Sequence, residues 1–267
     1  MQSPDKSLRV TMVQTEIIWH KAAENCQRLA ENIEQAIQAS AYEGTDLIVL
    51  PEMFNSGFTM NAEKIAEDMQ GPTIAWLVSQ AEKHEAAITG SLVIRENNRN
   101  YNRMIFATPD GQVTHYDKRH LFRMADEDQR YAGGDKQVVV NWRGWRIAMN
   151  VCYDLRFPVW CRSNNNIDLM LFVASWPAAR RYPWQTLLRA RAIENLCYVI
   201  GVNRIGADAN GIDHAGDSVL VDFKGEALCD LMSEDRIETC EIDAQLLLEF
   251  RQKFPAWMDS DAFEIKI

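Results

Sequence analysis

Apolar residues along this chain fall into short runs of alternating or continuous hydrophobicity, separated by longer stretches at helical spacing. Residues 8–13 read as a first strand. Over 22–40, Cys26, Leu29, Ala30, Ile33, Ala36 and Ile37 share one face of a helix. The run 46–50 predicts a buried strand that meets Pro51-Glu52 and then a loop (54–60) rich in Phe, Ser, Gly and Met. Gly71-Pro72-Thr73 opens a second helix, with proline near its start, burying Ile74, Leu77, Val78 and Ala81. Residues 87–94 and 101–108 predict adjacent strands, and Pro109-Asp110-Gly111 has turn chemistry. Further strands are expected over 113–116, 146–151, 168–174 and 197–202, with a helix over 184–195. A hairpin through Lys224-Gly225, a strand at 236–242 and a C-terminal helix complete the pattern. Strands interleaved with helices imply α/β layers around buried sheets. There is no repeat, low-complexity tract or linker, so one domain over 1–267 is expected.

Composition narrows the partners. The 267 residues are 47% hydrophobic and 25% charged, enough for a sizeable core. A net charge of -10 argues against nucleic acid or an anionic membrane surface, both of which need a basic face. No apolar run reaches the roughly 18 residues of a membrane span. Residues 1–6 are polar and lack the apolar core of a signal peptide. Six cysteines (26, 152, 161, 197, 229, 240) form no C-x-x-C pair, which fits reduced thiols in the cytoplasm.

Three buried runs end in a reactive group. The strand over 46–50 meets Glu52, that over 113–116 meets Asp117-Lys118, and that over 146–151 meets Cys152. Strand ends are where a rigid scaffold aims side chains that a loop leaves accessible. A free thiol, with a pKa of about 8.5, must lose its proton to attack carbon. Glu52 offers a base but repels a thiolate, and Lys118 supplies the compensating charge. An ion pair at about 4 Å is worth on the order of 4 kcal/mol at an effective dielectric near 20. A two-unit thiol shift needs roughly 2.7 kcal/mol. Lys118 also suits an oxyanion, with the Tyr153 backbone N–H as second donor. Such a set supports acyl transfer from an amide through a thioester. Each residue alone has a plainer reading: Cys152 as core, Glu52 as a strand end paired with a lysine, Lys118 as a solvated charge. A cysteine hydrolase using His120 or His115 as base is an alternative, as is a non-enzymatic scaffold.

Pro51-Glu52-Met53, Tyr116-Asp117-Lys118-Arg119-His120-Leu121-Phe122 and Cys152-Tyr153-Asp154-Leu155-Arg156-Phe157-Pro158, in that order, resemble the three signature segments of the nitrilase superfamily. The resemblance extends through Trp176-Pro177 and Arg189 to Asn195. It implies a four-layer α-β-β-α sandwich, commonly dimerised, with no metal or organic cofactor. It implies Glu52 as general base, Lys118 as oxyanion stabiliser and Cys152 as nucleophile, with Glu127 as a supporting carboxylate between Asp126 and Asp128. Within the superfamily the segments are most similar to bacterial omega-amidases, which implies a 2-oxo dicarboxylic monoamide (2-oxoglutaramate or 2-oxosuccinamate) as substrate. Aliphatic amidase, N-carbamoylase and nitrilase activities are the alternatives. Ala148 and Asn150 stand where many relatives have Gly, Val159 where they have Glu, and Ser175 where they often have Asn. The substrate's remote carboxylate calls for a guanidinium. Arg156 and Arg204, with Arg180 and Arg181, are the candidates. Phe58 and Trp176 are expected to line the pocket, with Phe54, Tyr182 and Trp184 also considered.

Overall fold

The computed structural model describes residues 7–163 and 166–266; the polar stretch 1–6 read above lies outside them. In chain order the first half comprises β1 (Ser7–Gln14), α1 (Ala22–Ala39), β2 (Leu47–Val49), α2 (Ala62–Ile65), α3 (Pro72–His84), β3 (Ala87–Glu96), β4 (Arg99–Ala107), β5 (Val113–Asp117) and α4 (Glu127–Arg130). The second half comprises β6 (Val139–Trp142), β7 (Trp145–Val151), β8 (Leu169–Ala174), α5 (Arg181–Asn195), β9 (Tyr198–Asn203), β10 (Ile205–Ala207), β11 (Asp213–Ala215), β12 (Val219–Val221), β13 (Ala227–Asp230), β14 (Arg236–Asp243) and α6 (Ala244–Lys253).

Two six-stranded sheets share one plan. The first runs β14-β1-β2-β3-β4-β5 and the second β13-β12-β9-β8-β7-β6. Each has three parallel strands at its centre, β1 to β3 and β7 to β9, flanked by antiparallel partners. The period-two pattern explains the layering. Along the first sheet, Leu8, Val10, Met12, Leu47, Val49, Met104, Phe106 and Tyr116 join the core shared with the second sheet. The alternate residues Val13, Ile48 and Ile105 pack outward with Cys26, Leu29 and Ile33 of α1 and Ile74, Leu77 and Ala81 of α3. Full burial of each such aliphatic side chain is worth about 1.5–3 kcal/mol. Trp184, Leu188 and Ala192 of α5 cover the far face of the second sheet. The order is therefore α-β-β-α, as the resemblance implied.

Departures from the sequence pattern are local. Helix α5 begins at Arg181, three residues earlier than expected, because Pro183 lies in the first turn, where a backbone N–H has no intrahelical acceptor. The short edge strand β6 and the β10–β11 hairpin are too brief to show alternation.

Candidate active site

Glu52, Lys118, Cys152 and Glu127 come from four separate segments and meet in one buried cluster. Each follows the end of an element that the packing above holds rigid: β2, β5, β7, and the turn leading into α4. Cys152 opens a 3-10 turn (Cys152–Arg156) directly after β7. Its φ of +46° is left-handed, and so are those of Met53 (+46°), after Glu52, and Asp126 (+57°), before Glu127. A non-glycine residue in this region costs on the order of 1–2 kcal/mol. Such strain concentrates where geometry is imposed by surrounding structure.

Lys118 Nζ lies 2.8 Å from Glu52 Oε1 and 2.9 and 3.0 Å from the two Glu127 oxygens. The Phe58 ring covers the ammonium, with its centroid 5.2 Å from Nζ. Glu52 is fully buried; its Oε1 also accepts Asn102 Nδ2 at 2.7 Å, and its Oε2 accepts the Ser175 backbone N–H at 2.8 Å. Glu127 is likewise buried and accepts the Phe122 N–H at 2.6 Å. Its neighbours Asp126 and Asp128 do not enter the cluster: Asp126 is exposed and Asp128 pairs with Arg123.

Burial is the largest influence on Lys118, Glu127 and Cys152. It opposes the Lys118 ammonium, but the Glu127 and Glu52 carboxylates outweigh it and hold the amine well above its ordinary pKa. Burial raises Glu127, with Lys118 pulling the other way. Burial also pushes the Cys152 thiol well above its ordinary range; the Glu52 charge adds to this, and Lys118 offsets only part. Of the two routes to a nucleophile read from the sequence, a lowered thiol pKa or a base that accepts the proton, burial works against the first and leaves the second to Glu52. Burial and the Glu52 charge thus favour the protonated thiol at Cys152 in the resting site. The Tyr153 N–H belongs to the first turn of the 3-10 segment, where N–H groups lack an acceptor within the turn.

Asp154 organises the surroundings. It is fully buried and accepts the Val151 N–H at 3.0 Å, the His120 N–H at 2.9 Å and the Tyr116 hydroxyl at 2.7 Å. His120 Nδ1 is 2.8 Å from Asp154 Oδ1, and its ring stacks on Phe157 at 3.7 Å. His120 is thus held against Asp154, and His115 is on the exposed side of β5. Neither supports a Cys–His reading.

The remaining sequence candidates separate. Arg156 is half-buried, with its guanidinium 5.0 Å from the Trp176 ring, and it makes no ion pair among the described residues. Trp176 is fixed by its N–H to Asn203 Oδ1 at 2.7 Å and its indole N–H to Arg180 O at 2.8 Å. Arg204 is buried, with its guanidinium donating to the carbonyls of Ile205 and Ala207, so it braces the β10 backbone. Arg181 pairs with Asp217 at 2.6 Å. Arg180 lies over Phe122 at 5.4 Å. Phe54 and Trp184 are core, and Tyr182 is on the surface. Asn102 was not singled out from the sequence, although a buried polar residue inside an apolar strand pattern is a signal of its own.

Among the described residues no group of three or more His, Cys, Asp or Glu side chains is arranged to hold a metal ion. The arrangement suits nucleophilic attack on a carbonyl carbon, with a base beside the thiol and a cation beside the developing oxyanion.

Comparison with known proteins gives the family and the fold. Residues 9–252 match the carbon-nitrogen hydrolase family model. The chain is 44% identical to the omega-amidase YafV of Escherichia coli (strain K12), over 97% of this chain and 98% of that protein. It is 32% identical to the 2-oxoglutaramate amidase of Bacillus subtilis (strain 168), over 94% and 96% of the two chains. The crystal structure of XC1258 from Xanthomonas campestris, a CN-hydrolase superfamily protein with an arsenic adduct in its active site, superposes with a TM-score of 0.92. It shares 46% identity, covering 97% of this chain and 99% of that one.

Proposed function

The chain belongs to the carbon-nitrogen hydrolase family, and we propose that it is an omega-amidase hydrolysing the side-chain amide of 2-oxoglutaramate or 2-oxosuccinamate. The observation that carries this reading is the buried Glu52–Lys118–Glu127 cluster beside Cys152, in a chain so similar to an omega-amidase over its length. The Cys152 Sγ–H proton passes to Glu52 as sulfur bonds to the amide carbon. The oxyanion is met by Lys118 Nζ and the Tyr153 N–H. Collapse of the adduct breaks the C–N bond, and Glu52 returns the proton to the departing ammonia. A water deprotonated by Glu52 then attacks the thioester, and the dicarboxylate leaves with Cys152 reprotonated. Glu127 holds Lys118 in place throughout. General-base action of this kind contributes about 10²- to 10⁴-fold.

Arg156 is our choice for the substrate's remote carboxylate. It begins four residues after the nucleophile on the same turn, it lies over Trp176, and no acid on the described chain neutralises it. Arg181 is paired with Asp217, and Arg204 directs its Nε and Nη2 to the carbonyls of Ile205 and Ala207. Phe58 and Trp176 supply apolar walls for a short linear substrate. The reaction needs no cofactor in this scheme.

Incubation with 2-oxoglutaramate should give ammonia and, on rapid quench, a Cys152 acyl adduct by intact mass that is absent in Cys152→Ala. Higher rates on glutamine, a simple nitrile or a carbamoyl amino acid would move the substrate assignment elsewhere in the family.

The assembly we favour is a homodimer. Support comes from exposed apolar side chains on α5, α6 and the tail: Ile193, Leu246, Leu248, Phe254, Met258 and Phe263. Light scattering would read a single mass near 31 kDa if this were wrong. A single domain over 1–267 predicts one cooperative calorimetric transition. Six unbridged cysteines fit a reducing cytoplasm, testable by fractionation. No helix among the described residues is long and apolar enough to cross a membrane.

A further inference from the structure

The geometry points to Asn102 as a positioning residue that decides which oxygen of Glu52 takes the thiol proton. This rests on the reading of Glu52 as the base for Cys152. A carboxylate oxygen has two in-plane acceptor directions. At Oε1 both are taken, by Lys118 Nζ at 2.8 Å and Asn102 Nδ2 at 2.7 Å. At Oε2, among the described residues, only the Ser175 backbone N–H is bound, at 2.8 Å. The open acceptor direction is therefore on Oε2. When the S–H bond breaks, the new O–H bond forms there, and the same O–H later returns its proton to ammonia.

The Asn102 amide also reaches Glu127 Oε1, at 3.2 Å. One neutral NH₂ group thus bridges two buried carboxylates that share a single cation. Its own Oδ1 is buried with no hydrogen-bond partner among the described residues. An unpaired buried carbonyl is costly, and a native structure keeps one only where the alternative is worse. Turning the amide over would satisfy nothing and would point its oxygen at carboxylate oxygens. The two carboxylates thus lock the amide's orientation, and the locked amide keeps Oε1 closed. Asn102 has a second hold on the cluster, since its backbone carbonyl accepts the Lys118 N–H at 2.9 Å.

The groups facing the Asn102 side chain are Glu52 after β2, Lys118 after β5 and Glu127 on α4, with Cys152 after β7 and the Tyr131 phenol at the end of α4 completing the titratable set. Asn102→Leu removes both donors at similar volume. Asn102→Asp places a third carboxylate against the other two, and the added group becomes a donor again only when protonated.

The test compares single-turnover ammonia release from 2-oxoglutaramate, KM and melting temperature in the wild type, Asn102→Leu, Asn102→Asp and Glu52→Gln. Asn102→Leu should slow release about 10- to 100-fold, the scale of one hydrogen bond to a charged group, with KM within about threefold. Asn102→Asp should lose more at pH 8 than at pH 6, relative to the wild type at each pH. Asn102→Leu within threefold of wild type would overturn the assignment, and so would an Asn102→Asp loss that is the same at both pH values and tracks melting temperature. If Glu52→Gln released ammonia normally, the base assignment itself would fail, and this inference with it.

Discussion

The Tyr116 hydroxyl donates to Asp154 Oδ2 at 2.7 Å, tying β5 to the 3-10 turn at points two residues from Lys118 and two residues from Cys152. The same oxygen of Tyr116 accepts the Trp160 indole N–H at 3.0 Å and the Arg119 N–H at 3.2 Å. One buried phenol therefore links the strand before the cation to the turn that carries the nucleophile. Tyr116→Phe strands two donors and leaves Asp154 one donor short. We expect a loss of about 2 kcal/mol in urea unfolding and a fall in kcat larger than any change in KM. Unchanged stability would show that the hydroxyl is not a tie.

Lys118 has no substitute in the cluster. Lys118→Met removes the charge that two buried carboxylates share. Activity should fall by at least about 10²- to 10³-fold, the usual scale for losing one oxyanion donor. Stability should fall by about 3–5 kcal/mol, because buried carboxylates are left uncompensated. Lys118→Arg should not restore turnover, since a planar fork cannot replace a compact ammonium between Glu52 and Glu127. Steady-state assays together with chemical unfolding of both variants check the two claims.

The resting thiol makes a pH prediction with a definite sign. Burial and the neighbouring Glu52 charge hold the Cys152 thiol well above the ordinary range, with Lys118 only partly offsetting them. Thiolate is therefore scarce in free enzyme at neutral pH. Alkylation of Cys152 by iodoacetamide should keep accelerating from pH 7 to beyond pH 9, without levelling off. A plateau reached below pH 7 would mean a resting thiolate–ammonium pair instead.

Much of this was readable before any coordinates. The strands before Glu52 and Cys152 are apolar runs in the centre of their sheets, and such runs announce themselves because both faces are buried. The strand before Lys118 is instead an edge strand with Thr114 and His115 exposed, so the sequence pattern overstates its burial. What could not be read was contact between distant segments. Asn102 carries no local mark of its two carboxylate partners, which lie 50 and 25 residues away. The arginines were indistinguishable until Asp217 and the β10 carbonyls were seen to claim two of them. The balance of charge at Lys118 also depends on contact: Glu127 is expected nearby from the sequence, but only the structure shows both of its oxygens on the ammonium. The Ser175 departure matters less than its position suggested, because Glu52 Oε2 is met by the backbone N–H, which any side chain leaves in place.

Acid stability should depend on Asp168, which joins three parts of the second half. Its carboxylate accepts Arg146 at 2.6 Å and Arg251 of α6 at 2.8 Å. Burial alone would raise this group, but hydrogen bonds and charge from Arg146, helped by Arg251, hold it below the usual carboxylate range. A carboxyl lowered on folding stabilises above its unfolded pKa of about 3.9 and loses that contribution as pH falls through the lower folded value. Asp168→Asn should cost about 3 kcal/mol at pH 7. The gap to wild type should close as pH drops below about 4, in guanidinium titrations across pH. A gap that did not vary with pH would assign the effect to packing.

The like plan of the two sheets has a mechanical corollary. Glu52 follows β2 and Ser175 follows β8, the middle parallel strands of their respective sheets, and the two ends clasp each other through Glu52 N–H to Ala174 O, Ser175 N–H to Oε2 and the Ser175 hydroxyl to Glu52 O. The proton-handling group therefore straddles a seam between two slabs. Sliding one slab over the other by even a fraction of an ångström would pull the carboxylate away from the sulfur. Turnover should then be sensitive to bulk changes at Met104 or Phe106, deep between the slabs and well outside the cavity, so the whole interior acts as a gauge block for a single proton transfer.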